Sequence, residues 1–158
     1  MRAEAGFTLI EALVVVGLVA VMAAATVPAV AGGLTRYSLT NAGQQVASTL
    51  RAARFHAVGT NRNVRIVINV ATGNYHREAF VGGAWVRITR AGELDGAGSE
   101  TFTLPNGTTF GAGTPANVEF DTQGRLAGGA ALTVTVTQGN GGDDRSVVIS
   151  ARGRTTIE

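Results

Sequence analysis

Gly6-Phe7-Thr8-Leu9-Ile10-Glu11 leads into a run, Ala12 to Thr35, without a charged side chain. As a helix that run would rise roughly 36 Å at ~1.5 Å per residue. A hydrocarbon core is about 30 Å thick, so the segment reads as membrane-spanning. Glu11 sits just inside it. An unpaired charge at full depth would cost up to ~2.5–3.5 kcal/mol, so a carboxylate there marks a functional site and calls for a partner.

The leader indicates what that partner is. Met1-Arg2-Ala3-Glu4-Ala5-Gly6 is short, polar and ends in glycine. A cut after Gly6 would give Phe7 a new α-amine, with Glu11 four residues downstream. There the macrodipole favours an anion. Glu11 would pair with its own amine across one turn, or with the amine of a neighbouring subunit. The second pairing links subunits inside a membrane or an apolar filament core. Two plainer readings explain less. A secretory signal has a basic start, an apolar stretch of about 7–15 residues and an Ala-x-Ala site, which Ala29-Val30-Ala31 would supply. The apolar run is too long for that, and Glu4 and Glu11 are acidic. A simple single-pass anchor leaves Gly6 and Glu11 unexplained.

The hexapeptide resembles the N-terminus of type IV pilins and pseudopilins. The resemblance implies that a prepilin peptidase cuts between Gly6 and Phe7 and N-methylates Phe7, and that Glu11 guides assembly. Pro28 also fits, since helices of that family often carry a proline near this depth.

The C-terminal third narrows the resemblance. Val118-Glu119-Phe120-Asp121-Thr122-Gln123-Gly124-Arg125 is followed by the alternating run Leu132–Thr137, then by Val147-Val148-Ile149-Ser150-Ala151-Arg152-Gly153-Arg154. A Phe-Asp-x-x-Gly turn, a strand, then a strand ending in Gly-Arg is similar to the GspH/FimT group of minor pseudopilins and pilins. Some members of that group contact DNA through their tails, which places Arg152 and Arg154 as candidate nucleic-acid contacts. Those tails carry a further arginine; here Thr155, Thr156 and Ile157 follow instead. DNA is therefore the less favoured partner.

Between these ends the periodicity predicts the elements. Leu39, Gly43, Val46, Leu50, Ala53 and Ala57 recur at alternating spacings of four and three, with Arg36, Gln44, Gln45, Arg51 and Arg54 largely off the stripe. The helix thus continues past the membrane, kinks at Pro28 and stops at Gly59. Strands follow at Val64–Val70, Tyr75–Val81, Ala84–Arg90, Thr101–Leu104, Val118–Phe120, Leu132–Thr137 and Ser146–Ala151. Gly82-Gly83 signals a two-residue hairpin, and 91–100 reads as a loop. Leu132, Val134 and Val136 face inward. On the last strand, if Val148 and residues of its parity face the core, Arg152 shares that parity unless the strand ends first; Gly153 suggests that it does, which leaves Arg152 and Arg154 projecting at the tip of the head.

Composition bounds the rest. At 158 residues, the part beyond the helix holds about 100, enough for its own core. Cysteine is absent, which removes disulfides and thiolate chemistry. All 13 basic side chains are arginine, yet the net charge is only +2, too weak to argue for nucleic acid alone. His56 and His76 lack a ligand spacing. Asp143-Asp144 reads as a solvated turn, since calcium takes six or more oxygens. Gly139-Asn140-Gly141-Gly142 lacks the Lys-Ser/Thr of a phosphate loop. Trp85 reads as core or as partly buried in its hairpin.

The expectation is an α+β chain: a leader (1–6), a transmembrane and assembly helix (7–35), its amphipathic continuation (36–58) and a periplasmic, mainly antiparallel β-rich head (59–158). It is expected to be no enzyme, with no cofactor and no metal. The resemblance implies a minor pseudopilin of a type II secretion pseudopilus, or alternatively a minor type IV pilin. Its partners would be prepilin peptidase, other pseudopilins or pilins, the bacterial inner membrane and a secretion or pilus assembly platform.

Overall fold

Thr8 sets the start of the long helix. In the computed structural model, which describes residues 8–89, 94, 100–139 and 142–158 (the side chains of 25–33 and 35 excepted), the hydroxyl of Thr8 accepts the Glu11 N–H at 3.3 Å. Its carbonyl accepts the N–H groups of Glu11 and Ala12 at 3.1 and 3.2 Å. Thr8-x-x-Glu11 thus has the residue types and spacing of a capping box. From this cap α1 runs over Leu9–Thr60, 52 residues.

Its end is a correction to the sequence reading. Gly59 stays helical, and the stop is Asn61, held at φ 53°. Arg62 N–H reaches the Ala57 carbonyl at 3.2 Å and Asn61 N–H the Val58 carbonyl at 3.4 Å. That is a Schellman closure, and asparagine tolerates the left-handed position it needs.

The chain divides into two compact units, Met1–Thr35 and Arg36–Glu158. In the first, apolar side chains lie open on every side of the helix, from Val15 at 48% to Leu9 at 84% exposure. A helix apolar all round needs an apolar environment. Among the described residues no helix is long and apolar enough to cross a membrane. The consecutively described side chains, Leu9 to Ala24, rise roughly 24 Å, short of a core of about 30 Å. The expected crossing over 7–35 thus depends on residues and side chains beyond those described; the backbone is helical through Pro28.

In the second unit the helical stripe is buried as its spacing requires: Leu39, Val46, Leu50, Ala53 and Ala57 are at most 4% exposed. Arg36, Gln44 and Arg51 lie outside. The stripe shares one core with two antiparallel sheets. The first holds β1 (Val64–Asn69), β2 (Asn74–Val81), β3 (Ala84–Arg87), β4 (Phe102–Thr103) and β6 (Asn117–Phe120). Its order is β3-β2-β1-β6, with β4 pairing β2. The second is β5-β7-β8-β9, from β5 (Thr108–Phe110), β7 (Leu132–Gln138), β8 (Asp144–Ile149) and β9 (Thr155–Ile157). Tyr75 ties the sheets together, stacking on Phe102 at 5.3 Å and meeting Phe110 edge-on at 5.8 Å.

Several boundaries differ from the periodic reading. Val70 is exposed and β1 stops at Asn69, whose side-chain oxygen accepts the N–H groups of Ala71 and Thr72 and so turns the chain. β3 ends at Arg87, after which Ile88 makes an isolated bridge to Leu94. β5 and β9 are each three residues long, too short for a periodic signal. β8 spans Asp144–Ile149 rather than Ser146–Ala151, and its buried parity is Val147 and Ile149, not Val148. On β7, Val134 and Val136 are fully buried and Leu132 packs against the core. The hairpin at Gly82-Gly83 stands as read: both glycines have positive φ, 61° and 88°, and Val81 pairs Ala84.

Candidate assembly site and head surface

Glu11 projects from the first turn of α1, exposed and three residues past the Thr8 cap. The helix dipole and the unpaired N–H groups of that turn favour its charge. Gly6 and Phe7 lie outside the described residues. The sequence reading passed over this cap, although Thr-x-x-Glu before an apolar run is its signature.

The two C-terminal motifs meet at the far end of α1. In the first, Asp121 accepts the N–H groups of Gln123 at 2.9 Å and Arg125 at 2.8 Å through one carboxylate oxygen. Its own N–H reaches the Arg125 carbonyl at 2.9 Å. Gly124 holds φ 72° inside that turn. In the second, β8 and β9 are joined by a turn in which Gly153 holds φ 77° and Ser150 N–H bonds the Arg154 carbonyl at 2.9 Å. Arg54 of α1 donates from Nε to the Gly124 carbonyl at 3.0 Å. A Cβ on Gly153 would collide with that same carbonyl oxygen and approach Arg54 Nε to 3.0 Å. A Cβ on Gly124 would come within 2.9 Å of Val58. The glycines of both motifs are thus required by one close approach of two turns to the helix.

Arg152 and Arg154 flank Gly153, both exposed. β8 ends at Ile149, and its buried parity is that of Val147 and Ile149, so nothing in the strand directs Arg152 inward. Arg152 is brought together with Arg54 and Arg125 around an open pocket of about 710 Å³. Arg154 shares with Arg152 a neighbouring depression of about 460 Å³. Sequence reading missed Arg54 and Arg125 as members of this group. The available signal was Gly124-Arg125, which repeats the Gly153-Arg154 pair.

The remaining candidates fall apart. Asp143 meets Arg36 at 3.8 Å with both side chains well exposed, a pair worth little in water. Among the described residues no three His, Asp or Glu side chains are placed to hold a metal. His56 is half-buried on α1; burial lowers its pKa, and the charges of Arg77 and Arg62 push the same way. His76 lies 3.0 Å from Glu78, which also binds Arg65 at 2.7 Å. Burial alone would raise the Glu78 carboxyl, but the hydrogen bonds and charges of Arg65 and His76 outweigh it and hold it low. Arg65 in turn lies 4.2 Å over the ring of Trp85, which packs on Phe80. This is an outer-face cluster around the hairpin, so Trp85 is partly buried there and is not part of the core.

The family described as type II transport protein GspH matches residues 42–153, and the prokaryotic N-terminal methylation motif matches residues 1–27. No curated protein matches the chain. Among solved structures, the type IV minor pilin FimU of Pseudomonas aeruginosa is 19% identical, with a TM-score of 0.58 over 78% of this chain and 90% of that one. The minor pseudopilin EpsH from the type 2 secretion system of Vibrio cholerae is 14% identical, with a TM-score of 0.59 over 77% and 96%. At such identities the likeness is one of fold: an N-terminal helix on antiparallel sheets, the pilin-like α+β fold expected above.

Proposed function

We propose a structural role in a pilin-like filament, from the premise that this chain belongs to the GspH family of type II transport proteins. In this reading it is the precursor of a minor pseudopilin of a type II secretion pseudopilus, and no enzyme. The observation that carries the reading is a conjunction. A methylation motif over 1–27 is joined to a helix whose apolar side chains lie exposed on every side. Such a helix is stable only where lipid or other helices cover it. The chain would sit in the bacterial inner membrane with its head in the periplasm, then enter the filament through an assembly platform. A prepilin peptidase would cut between Gly6 and Phe7 and methylate Phe7. Glu11 would then neutralise the new amine of its own or a neighbouring subunit in an apolar setting, where an uncompensated charge is costly.

A minor type IV pilin is the second reading, favoured by the fold likeness to FimU, which nearly equals that to EpsH.

Intact-mass measurement of the protein extracted from membranes that contain prepilin peptidase tests the role. The expected species lacks Met1 to Gly6 and carries one extra methyl group. A chain cut after Ala31 would overturn it.

A further inference from the structure

Arg54, Arg125 and Arg152 line one pocket, and among the described residues none of them has a carboxylate within ion-pair distance. The one carboxylate in the lining, Asp121, accepts two backbone N–H groups through a single oxygen and makes no ion pair with the three arginines. Arg54 is held in place by its Nε bond to Gly124, which pre-orients its two outer nitrogens; among the described residues these make no hydrogen bond or ion pair. A guanidinium fixed in this way favours a planar oxoanion gripped by paired N–H groups.

The surroundings choose among oxoanions. Phe55 is 75% exposed and Val58 51% exposed, on the same turns of α1 as Arg54. Val58 borders the pocket at the Gly124 turn, and Phe55 lies on the adjoining face of the helix; arginine without an ion pair next to such exposed apolar side chains is the composition of a protein interface centre. Single-stranded nucleic acid would call for aromatic platforms along a basic track. The pocket lining holds no aromatic ring; it is completed by Gln123, Leu126, Gly129 and Ala151.

We propose that this pocket is a docking site for a carboxylate on an acidic, apolar-flanked segment of a partner protein. The guanidinium groups of Arg125 and Arg152 grip the carboxylate beside the fixed Arg54, and Phe55 with Val58 covers the flanking apolar side chain. That the partner is a neighbouring filament subunit rests on the role proposed above. The binding chemistry does not.

The test is an NMR titration of the full-length chain in detergent with an N-acetylated peptide of alternating Glu and Leu. Saturable binding is expected, shifting the resonances of Gln123, Arg125 and Arg152. Arg125→Glu/Arg152→Glu weakens it roughly tenfold or more, whereas Arg154→Ala, outside the pocket, leaves it within about twofold. Phe55→Ser weakens this peptide but not an all-Glu peptide of equal length. If the double reversal lowers the thermal midpoint, Arg125→Gln/Arg152→Gln replaces it and is read the same way. The proposal is overturned by absent binding, by an unchanged affinity in the double variant, or by equal binding of a Lys-Leu peptide. Orthophosphate alone occupying the pocket would make it an adventitious ion only. Duplex DNA displacing the peptide at lower concentration would make it a nucleic-acid surface. Failure here leaves cleavage after Gly6 intact, and failure of cleavage leaves peptide binding intact.

Discussion

Two glycines show how differently the same substitution acts. Gly153 sits at φ 77° with the Gly124 carbonyl oxygen where a Cβ would go. Gly153→Ala should cost about 3 kcal/mol or more, from left-handed strain plus the forced separation of the two turns. Calorimetry should show a midpoint lowered by roughly 10 °C. Gly43 is also buried, facing β8 and β9, but a Cβ there would meet the Cβ of Arg145 at 3.6 Å, an ordinary contact. Gly43→Ala should therefore stabilise, by up to ~1 kcal/mol from helix propensity. Tyr75 sets an alkaline limit. Burial pushes its phenol up to about 12, with Thr49 and Gln45 beside it pulling weakly the other way. The folded protein holds that proton more tightly than the unfolded chain does. The contribution is thus complete below about pH 10 and lost as pH rises toward about 12, on the order of 2 kcal/mol. Urea unfolding at pH 9 and pH 11.5 should show the loss, reduced in Tyr75→Phe. The hydroxyl makes no hydrogen bond of good geometry among the described residues, so Phe leaves little unpaired.

At the scale of elements, α1 carries two roles on one continuous helix. Its first turn combines a cap with a charge, and substitution can separate them. Gln at position 11 keeps the hydrogen-bonding type of a capping box but not the charge. Glu11→Ala and Glu11→Gln should both stay membrane-bound and be cleaved, and both should be depleted from sheared filaments. Recovery of the Gln variant at wild-type levels would assign Glu11 to the cap alone. The helix and the long strands were legible because their periods are long enough to repeat: six stripe positions on α1, the alternation of β1, the paired glycines of the β2–β3 hairpin. β5 and β9 were not, since three residues carry no period. The parity of β8 was open in the sequence for a related reason. Val147, Val148 and Ile149 are all apolar, and only pairing with β7 decides which face is buried. The arginine pocket was illegible for another reason. Arg54, Arg125 and Arg152 lie far apart in sequence, and the turns that gather them are fixed by contacts, not by local pattern.

For the whole molecule, the Arg36–Glu158 unit contains both sheets and a buried stripe of helix. A polypeptide beginning at Arg36 should therefore fold alone. Circular dichroism should show sheet with one helix, sedimentation should show a monomer, and amide exchange should be slowest in β1 and β7. Wholesale rapid exchange would mean that the head needs neighbours. The meeting of Arg54, Gly124 and Gly153 carries a last consequence, for the order of folding. Arg54 and Gly124 are 70 residues apart, and the piece that locks them arrives only with the β8–β9 turn. Contacts of such separation require closing long loops before they return any stability. The lock should thus be absent from the folding transition state, and weakening it should speed unfolding more than it slows folding. During synthesis the two turns should therefore stay unlocked until the final hairpin emerges.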